Sequence, residues 1–216
     1  MRREVPALLL ITDPSLGDPV AATRAALAAL PSGAAAAGRV AVQLRAKDRG
    51  GRALVALGRG LRAVTAERGV PLLVNGRLDV AHAVSADGVH LPEAGVTPAE
   101  ARTILGPDAL VGASRHDGAG VARAAAEGAD YATLGPFAAT PGKGPPLGPD
   151  RFAAIAREAT LPVLALGGVG AREVPAARAA GAHGVAVIRA VYGDPDPGAA
   201  LTALLAALDT AHTRGG

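Results

Sequence analysis

The strongest constraint on the fold of this chain is the alternation of short aliphatic runs with Ala-, Arg- and Glu-rich segments of helical character. Eight runs predict strands, at residues 7–13, 39–45, 71–75, 88–91, 110–114, 131–135, 162–167 and 184–188. The segments between and after them predict helices near residues 19–30, 51–67, 78–84, 98–105, 118–127, 150–158, 173–180 and 197–208. Such alternation is typical of parallel strands joined by right-handed crossovers, and eight units close into a barrel. The sequence therefore predicts an α/β fold, a (β/α)₈ TIM barrel with a closed, parallel, eight-stranded sheet.

Nothing in the sequence divides the chain into separate parts. Its 216 residues, of which 50% are hydrophobic, are enough to bury a substantial core, and no low-complexity linker or charge block interrupts them. Two Phe, two Tyr and no Trp leave that core to aliphatic side chains, as suits parallel strands covered by helices. A weak repeat joins a helix end to a strand start at residues 85–89, 128–132 and 181–185. We therefore expect a single domain over residues 1–216.

Composition excludes several classes of protein. The chain has no cysteine, which excludes disulfides, thiolate metal sites and cysteine nucleophiles. The net charge of +3 comes from scattered arginines, so we expect no nucleic-acid partner. No run approaches the roughly 18 apolar residues of a membrane span, and residues 1–10 are more typical of a strand than of a signal peptide. We expect a soluble, cytoplasmic protein that binds an anionic metabolite, with a homodimer plausible on general grounds.

Polar residues follow the predicted strands at the ends that form the mouth of a barrel, where barrel enzymes carry their active sites. The second strand ends with Gln43, Arg45 and Lys47, which at strand spacing bring one amide and two cations to the same face. A solvated charged turn is the alternative interpretation. Asn75, at the end of the third strand, can donate and accept hydrogen bonds to a substrate, or it caps the next helix.

The fourth and fifth strands end in groups suited to proton transfer and anion binding. His90 ends the fourth strand, and Ser114 and His116 end the fifth. The alternatives are a histidine that satisfies a loop carbonyl and a serine that caps a helix. We predict that His90 binds substrate and that Ser114 and His116 are catalytic.

The long loop after the sixth strand, residues 135–148, is a second candidate for function. Connections of this length in compact domains are usually functional or disordered. Thr140 and Lys143 are the groups in it that can hold a phosphate. We predict that Thr140 binds substrate and that Lys143 is catalytic, the alternative being a flexible surface loop.

The last two strands end in a pattern that favours phosphate binding. Gly167 and Gly168 follow the seventh strand, and with no Cβ they let the backbone approach an anion. Ile188 and Arg189 follow the eighth strand, with a helix start beyond them. Barrels commonly bind phosphate through the loops after these two strands, so the sequence predicts substrate binding at all four residues.

Together these residues resemble a known family in their order and spacing. The motifs are Gln43-x-Arg45-x-Lys47, Val74-Asn75, Ala86-Asp87-Gly88-Val89-His90, Gly112-x-Ser114-x-His116, Ala129-Asp130-Tyr131, Leu134-Gly135-Pro136, Gly167-Gly168-Val169 and Gly184-Val185. They cover nearly the whole chain and resemble those of thiamine phosphate synthase and its TenI relatives. The resemblance implies phosphorylated thiazole and pyrimidine metabolites as ligands.

In the synthases of this family, a Mg²⁺-bound hydroxymethylpyrimidine diphosphate loses diphosphate, and the nitrogen of a thiazole phosphate attacks the resulting cation. The resemblance implies that the pyrimidine diphosphate contacts Gln43, Arg45, Lys47 and Asn75. It implies that the departing diphosphate is held by Ser114, Thr140 and Lys143. It also implies that the thiazole phosphate binds the backbone at Gly168, Ile188 and Arg189.

Three positions depart from the synthase pattern. The synthases have metal-binding aspartates where this chain has Gly76 and Gly95, and a threonine of their diphosphate loop is replaced by Gly142. Mg²⁺ is expected from the family, but a hard divalent cation needs oxygen ligands that the two glycines do not supply. The nearby carboxylates of Asp79 and Glu93 do not fall at the matching positions, so the sequence assigns no metal ligand.

Two alternatives stand beside synthase-type coupling, which we rank first. TenI-type enzymes move a proton on a carboxythiazole phosphate without metal, and the Thr140-x-x-Lys143 loop resembles that branch. Pro136, however, stands where the tautomerase has its catalytic histidine, so His116 or His90 would have to replace it. A non-catalytic barrel that binds thiazole or thiamine phosphate is the other alternative, because phosphate-site features are present while the metal ligands are not.

Overall fold

A computed structural model describes residues 4–31 and 38–212, where eight parallel strands close into a barrel with each strand next to its neighbour in sequence. The strands are β1 (Leu8–Ile11), β2 (Val40–Leu44), β3 (Leu72–Asn75), β4 (Gly88–Leu91), β5 (Leu110–Arg115), β6 (Tyr131–Leu134), β7 (Val163–Leu166) and β8 (Gly184–Val187). Pairing of β8 with β1, Leu8 opposite Val185, closes the ring. The predicted (β/α)₈ TIM barrel is confirmed.

At least one helix follows each strand. In the described part of the chain the helices are α1 (Pro19–Ala28), α2 (Gly51–Glu67), α3 (Leu78–Ala83), α4 (Pro98–Leu105), α5 (Gly118–Ala126), α6 (Gly148–Glu158), α7 (Val174–Ala179), α8 (Arg189–Tyr192) and α9 (Pro197–His212). None of these helices combines the length and the apolar character that crossing a membrane requires.

Most predicted boundaries agree with the structure to within a few residues, but two short elements were not predicted. A 3₁₀ turn, Pro14–Leu16, follows β1, and its start is capped by the side chain of Asp13. Helix α8 follows β8 directly, so the helix predicted at residues 197–208 is the second one after that strand and runs from Pro197 to His212. Both elements are about one turn long, which is too short for hydrophobic periodicity to reveal.

Alternation along the strands separates two apolar layers. One set of side chains, including Leu8, Leu10, Val40 and Val42, packs outward against the helices. The other set fills the barrel interior: Leu9, Ile11, Ala41, Leu73, Leu110, Tyr131, Leu164 and Ala186. Toward the carboxyl ends of the strands the buried side chains of this second set become polar, with Gln43, His90 and Thr133. This end of the barrel holds the predicted site.

Residues of the weak sequence repeat form hydrogen bonds and ion pairs at the opposite end of the barrel. The Asp87 carboxylate accepts a hydrogen bond at 2.7 Å from a backbone amide at the start of β3 and pairs with Arg62 at 2.6 Å. Asp130 accepts one at 2.7 Å from an amide of β5 and pairs with Arg102 at 2.6 Å. At the third repeat, the His183 ring lies 3.3 Å from a backbone carbonyl before β1. The repeat therefore stabilises the fold at the end that barrel enzymes do not use for catalysis.

Candidate active site

A buried hydrogen-bonded cluster forms the floor of the site. His90 is 2% exposed, and its ring nitrogens lie 3.1 Å from the Tyr131 hydroxyl and 3.1 Å from the Thr133 hydroxyl. Gly112, on the strand between them, leaves the necessary space, because a Cβ there would lie 2.2 Å from the Tyr131 ring and 2.5 Å from His90 Nδ1. Burial, and secondarily the charge of Arg115, lower the pKa of His90 to about 3, so the imidazole is neutral.

This placement changes the interpretation of His90. The sequence predicts a substrate ligand at the strand end, but both ring nitrogens are within hydrogen-bond distance of protein hydroxyls. Tyr131 and Thr133 point into the barrel because they alternate with the outward-facing residues of β6. His90 therefore supports the floor from below and has no ring nitrogen left for a ligand.

A pair of amides lies beside this floor. Gln43 is 1% exposed, and its Nε2 donates to Asn75 Oδ1 at 3.0 Å. The other end of the Gln43 side chain, Oε1, is buried and has no hydrogen-bond partner among the described residues. A buried acceptor without a partner costs about 1–3 kcal/mol unless a ligand or water satisfies it. The pair thus presents an open acceptor, as a ligand N–H group requires.

Arg45 faces β1. Its backbone amide donates to the Thr12 hydroxyl at 2.9 Å, and its guanidinium lies 4.0 Å from the carboxylate of Asp13. Hydrogen bonds from Ser15 lower the pKa of Asp13, and the positive charges of Arg45 and Arg189 lower it further. Arg45 and Arg189, predicted from separate strands, thus both act electrostatically on one carboxylate. Thr12 and Asp13 end the first predicted strand but were not predicted as site residues.

A cleft opens at the rim between the ends of β2 and β3 and the start of α2. We call it the rim cleft, and its volume is about 300 Å³. Its lining is apolar at Leu44, Ala46, Leu54 and Val74 and otherwise consists of Lys47, Arg49, Asn75, Gly76 and Arg77. The sequence predicted Lys47 and Asn75 but not the two arginines. Strand β2 ends at Leu44, so the strand spacing that would align Lys47 with Arg45 stops before either residue. Arg45 thus lies toward β1, while Lys47 lines the rim cleft.

The end of β5 holds the two predicted catalytic groups in different surroundings. Ser114 is half-buried, whereas the side chain of His116 is 59% exposed. His116 Nδ1 lies 2.9 Å from the carbonyl oxygen of Gly135, and its Nε2 lies 3.9 Å from the Glu93 carboxylate. Arg123 is 3.7 Å from the same carboxylate. His116 thus bridges the loops that follow β4 and β6.

The loop after β6 packs onto the end of β7. The Ala138 amide donates to the Gly167 carbonyl at 2.9 Å, and the Thr140 hydroxyl donates to the Ala138 carbonyl at 3.0 Å. Gly167 and Gly168 have φ values of 94° and 64°, and a Cβ at Gly168 would lie 2.6 Å from a loop carbonyl. The turn therefore requires glycine. Thr140 is brought to this turn, while the side chain of Lys143 is exposed.

The last predicted residues lie where β8 passes into α8. Ile188 packs against the interior cluster and accepts a hydrogen bond at 3.0 Å from the Tyr192 amide of the short helix. Arg189 begins that helix. A short extra helix after the eighth strand is a recurring part of barrel phosphate sites.

The residues near the expected metal positions do not suit Mg²⁺. Gly76 and Gly95 bring no oxygen-bearing side chain, and the Asp79 carboxylate is held by Arg77 at 2.8 and 2.6 Å. Glu93 faces His116 and Arg123. Across residues 4–31 and 38–212, no three His, Asp or Glu side chains lie close enough together to hold a metal ion. A hard cation prefers several oxygen ligands, which this set does not provide.

Comparison with known proteins gives a consistent result. Residues 8–191 match the model of the family described as thiamine monophosphate synthase. The chain is 48% identical over 185 residues to a putative thiamine-phosphate synthase of Geobacter sulfurreducens, covering 84% of this chain and 87% of that one. It is 43% identical over 194 residues to the thiamine-phosphate synthase of a Roseiflexus species, covering 88% and 82%. The solved structure of thiamine phosphate pyrophosphorylase from Pyrococcus furiosus superposes with a TM-score of 0.83 at 31% identity, covering 94% of this chain and 96% of that one.

Proposed function

The chain belongs to the thiamine monophosphate synthase family, and from this premise we propose that it is a transferase that joins hydroxymethylpyrimidine diphosphate to thiazole phosphate. In this reaction the bond between the pyrimidine methylene carbon and the diphosphate oxygen breaks, and diphosphate leaves with the bonding electrons. The thiazole nitrogen then donates its lone pair to the same carbon. The products are thiamine phosphate and diphosphate.

The observation that carries the proposal is the open acceptor of Gln43 beside Asn75. A substituted aminopyrimidine offers N–H donors and ring-nitrogen acceptors on one edge, and Oε1 of Gln43 is a buried acceptor without a partner among the described residues. Its nitrogen already donates to Asn75, which fixes the amide plane. The pair supports binding of the pyrimidine edge at the floor of the barrel mouth.

The charges around this pair support departure of the diphosphate. Lys47 lines the rim cleft next to Asn75, and Arg45 lies on the other side of Gln43, toward β1. Cations that are in place before the reaction stabilise negative charge as it develops on the leaving group. Ser114, Thr140 and Lys143 are the further groups that we assign to the diphosphate.

The Gly167–Gly168 turn supports the site for the thiazole phosphate. Its backbone faces the loop that carries Thr140, and the short helix α8 begins just after Ile188. We assign the phosphate to the backbone at Gly167, Gly168, Ile188 and Arg189. With this function we also propose a cytoplasmic location, because the phosphorylated substrates do not cross membranes unaided.

Incubation of the chain with both substrates tests the proposal, with thiamine phosphate detected by fluorescence after oxidation to its thiochrome. We expect product formation, and we expect Gln43→Met to lower the rate at least tenfold by removing the open acceptor at nearly constant volume. Thr202→Ala, on the exposed face of α9, is the matched control and should keep the rate within twofold. No product above background at high enzyme concentration contradicts the proposal.

One observation favours a second candidate, thiazole tautomerisation. His116 Nδ1 lies 2.9 Å from the carbonyl oxygen of Gly135. Gly135 precedes Pro136, the position of the tautomerase histidine, so the His116 ring is close to that position. If the chain has this activity, it should interconvert carboxythiazole phosphate isomers without metal, and His116→Asn should abolish the conversion. Unchanged isomer ratios reject this candidate. Calorimetric binding of thiazole phosphate with neither conversion nor coupling would instead indicate a non-catalytic binding protein.

A further inference from the structure

The described residues that line the rim cleft include three cations and no carboxylate. Lys47, Arg49 and Arg77 all line it, and its other lining residues are uncharged. The carboxylate of Asp79 approaches one edge of the Arg77 guanidinium, through Nε and one terminal nitrogen. The cleft therefore has a net positive charge, and this favours an anion over a cation.

The position of the cleft makes this charge relevant to the substrate. Asn75 lines the cleft and also accepts the hydrogen bond from Gln43, so the cleft adjoins the proposed pyrimidine site through one shared side chain. Gly76, which stands at the expected metal-ligand position, is itself part of the cleft wall.

The backbone of the cleft wall at Gly76 does not suit the metal-binding aspartate that the synthases of the family have at this position. Gly76 has a φ of 65°, and a Cβ there would lie 3.2 Å from the Pro92 ring. An aspartate at residue 76 would thus be strained, because a non-glycine residue rarely adopts this backbone conformation. Gly95 likewise has a positive φ, of 116°.

We propose that the rim cleft binds the diphosphate group directly through Lys47 and Arg49, without a divalent cation. This inference rests on the proposed function, in which diphosphate is the leaving group. An ammonium group and a guanidinium neutralise phosphoryl oxygens as a metal would, and the guanidinium can donate two parallel hydrogen bonds to one phosphate. Arg77 can add the terminal nitrogen that does not donate to Asp79. Because the side chains of Lys47 and Arg49 are exposed, binding weakens as the salt concentration rises.

Calorimetry with inorganic diphosphate tests the proposal independently of catalysis. We expect diphosphate to bind in metal-free buffer containing EDTA and the affinity not to increase when Mg²⁺ replaces EDTA. A titration with Mg²⁺ alone should give no binding heat. Three outcomes would each overturn the proposal: diphosphate binding only in the presence of Mg²⁺, saturable binding of Mg²⁺ alone, or no diphosphate binding in either buffer.

Single variants locate the site. We expect Lys47→Ala and Arg49→Ala each to weaken diphosphate binding at least tenfold in EDTA and Arg49→Lys to recover part of the loss. Arg59→Ala removes an exposed arginine from the outer part of α2, outside the cleft, and should change the affinity less than twofold. Equal losses in Arg49→Ala and Arg59→Ala would show general charge attraction only and would overturn the proposal.

The two proposals can fail separately. Diphosphate binding in EDTA together with no thiamine phosphate formation retains the anion site and rejects the proposed function. If thiamine phosphate formation stops in EDTA and diphosphate binding also requires Mg²⁺, the proposed function is retained and the metal-free site is rejected.

Discussion

At the scale of single residues, the interior of the barrel mouth depends on neutral polar groups that satisfy one another. His90, Tyr131 and Thr133 form one hydrogen-bonded set, and Gln43 with Asn75 forms another. These groups come from β2, β3, β4 and β6, so the sets assemble only across strands. Gln43 Oε1, a buried acceptor without a partner among the described residues, lies where we place the substrate. A buried polar set of this kind is stable only while each member keeps its protonation state.

Protonation of His90 should therefore govern part of the acid sensitivity of the fold. Its pKa is about 3 in the folded chain, whereas a histidine in an unfolded chain titrates near 6.5. Below about pH 6.5 the unfolded chain takes up a proton that the folded chain does not. Stability is thus lost as the pH falls from about 6.5 to about 3, and the loss between pH 7 and pH 4 is about 3 kcal/mol.

Urea unfolding at pH 7 and pH 4 measures this loss. Because acidic residues also contribute, the test is the difference between the wild type and His90→Gln, in which the decrease in free energy of unfolding should be smaller by about 3 kcal/mol. His82→Gln, at an exposed histidine of α3, should retain the wild-type decrease. Equal pH dependence in the wild type and His90→Gln would show that His90 is not the buried, neutral group described above.

At the scale of elements, the floor of the site depends on how closely β4, β5 and β6 pack. Gly112 on β5 pairs with His90 of β4 on one side and with Tyr131 of β6 on the other. The two side chains meet above it, in the space that a side chain at residue 112 would fill. The sequence identified Gly112 as part of a motif, but only the register of the three strands explains why it is glycine.

Gly112→Ala should destabilise the fold by about 2–3 kcal/mol, because the added methyl group overpacks a buried contact. The free energy of unfolding in urea measures the loss. Gly144→Ala is the control: its Cβ would meet nothing within 4 Å, and its effect should stay within about 0.5 kcal/mol. A loss at Gly112 no larger than that at Gly144 would mean that the floor can rearrange to admit the methyl group.

At the scale of the whole molecule, closure of the ring makes the strands interdependent. Strand β8 pairs with β1, so the first and last strands lie side by side although they are far apart in sequence. The groups that we assign to the site come from the ends of different strands and the loops after them, and each is positioned by the ring rather than by its sequence neighbours. We propose that residues 1–216 form one domain.

A single domain should unfold in one cooperative transition. Far-UV circular dichroism in urea reports the helices, and near-UV circular dichroism reports the buried tyrosines, Tyr131 inside the barrel and Tyr192 outside it. We expect the two urea transitions to coincide, as two-state unfolding requires. In Tyr192→Phe the near-UV signal reports mainly Tyr131, and its transition should still follow the far-UV signal of the same variant. Separate midpoints would indicate two independently unfolding parts.

The sequence by itself determined the eight strand–helix units, the closed barrel and the family, because these follow from local periodicity and from motifs spread along the chain. It also placed Gln43, Lys47, Asn75 and Thr140 at strand ends or in the loop where the structure has them. Only the tertiary structure decided which of these groups meet. Arg45 separates from Lys47, and Arg49 and Arg77 join the rim cleft, because contacts across strands depend on register and on where each strand ends. Periodicity along one strand carries no information about its neighbour.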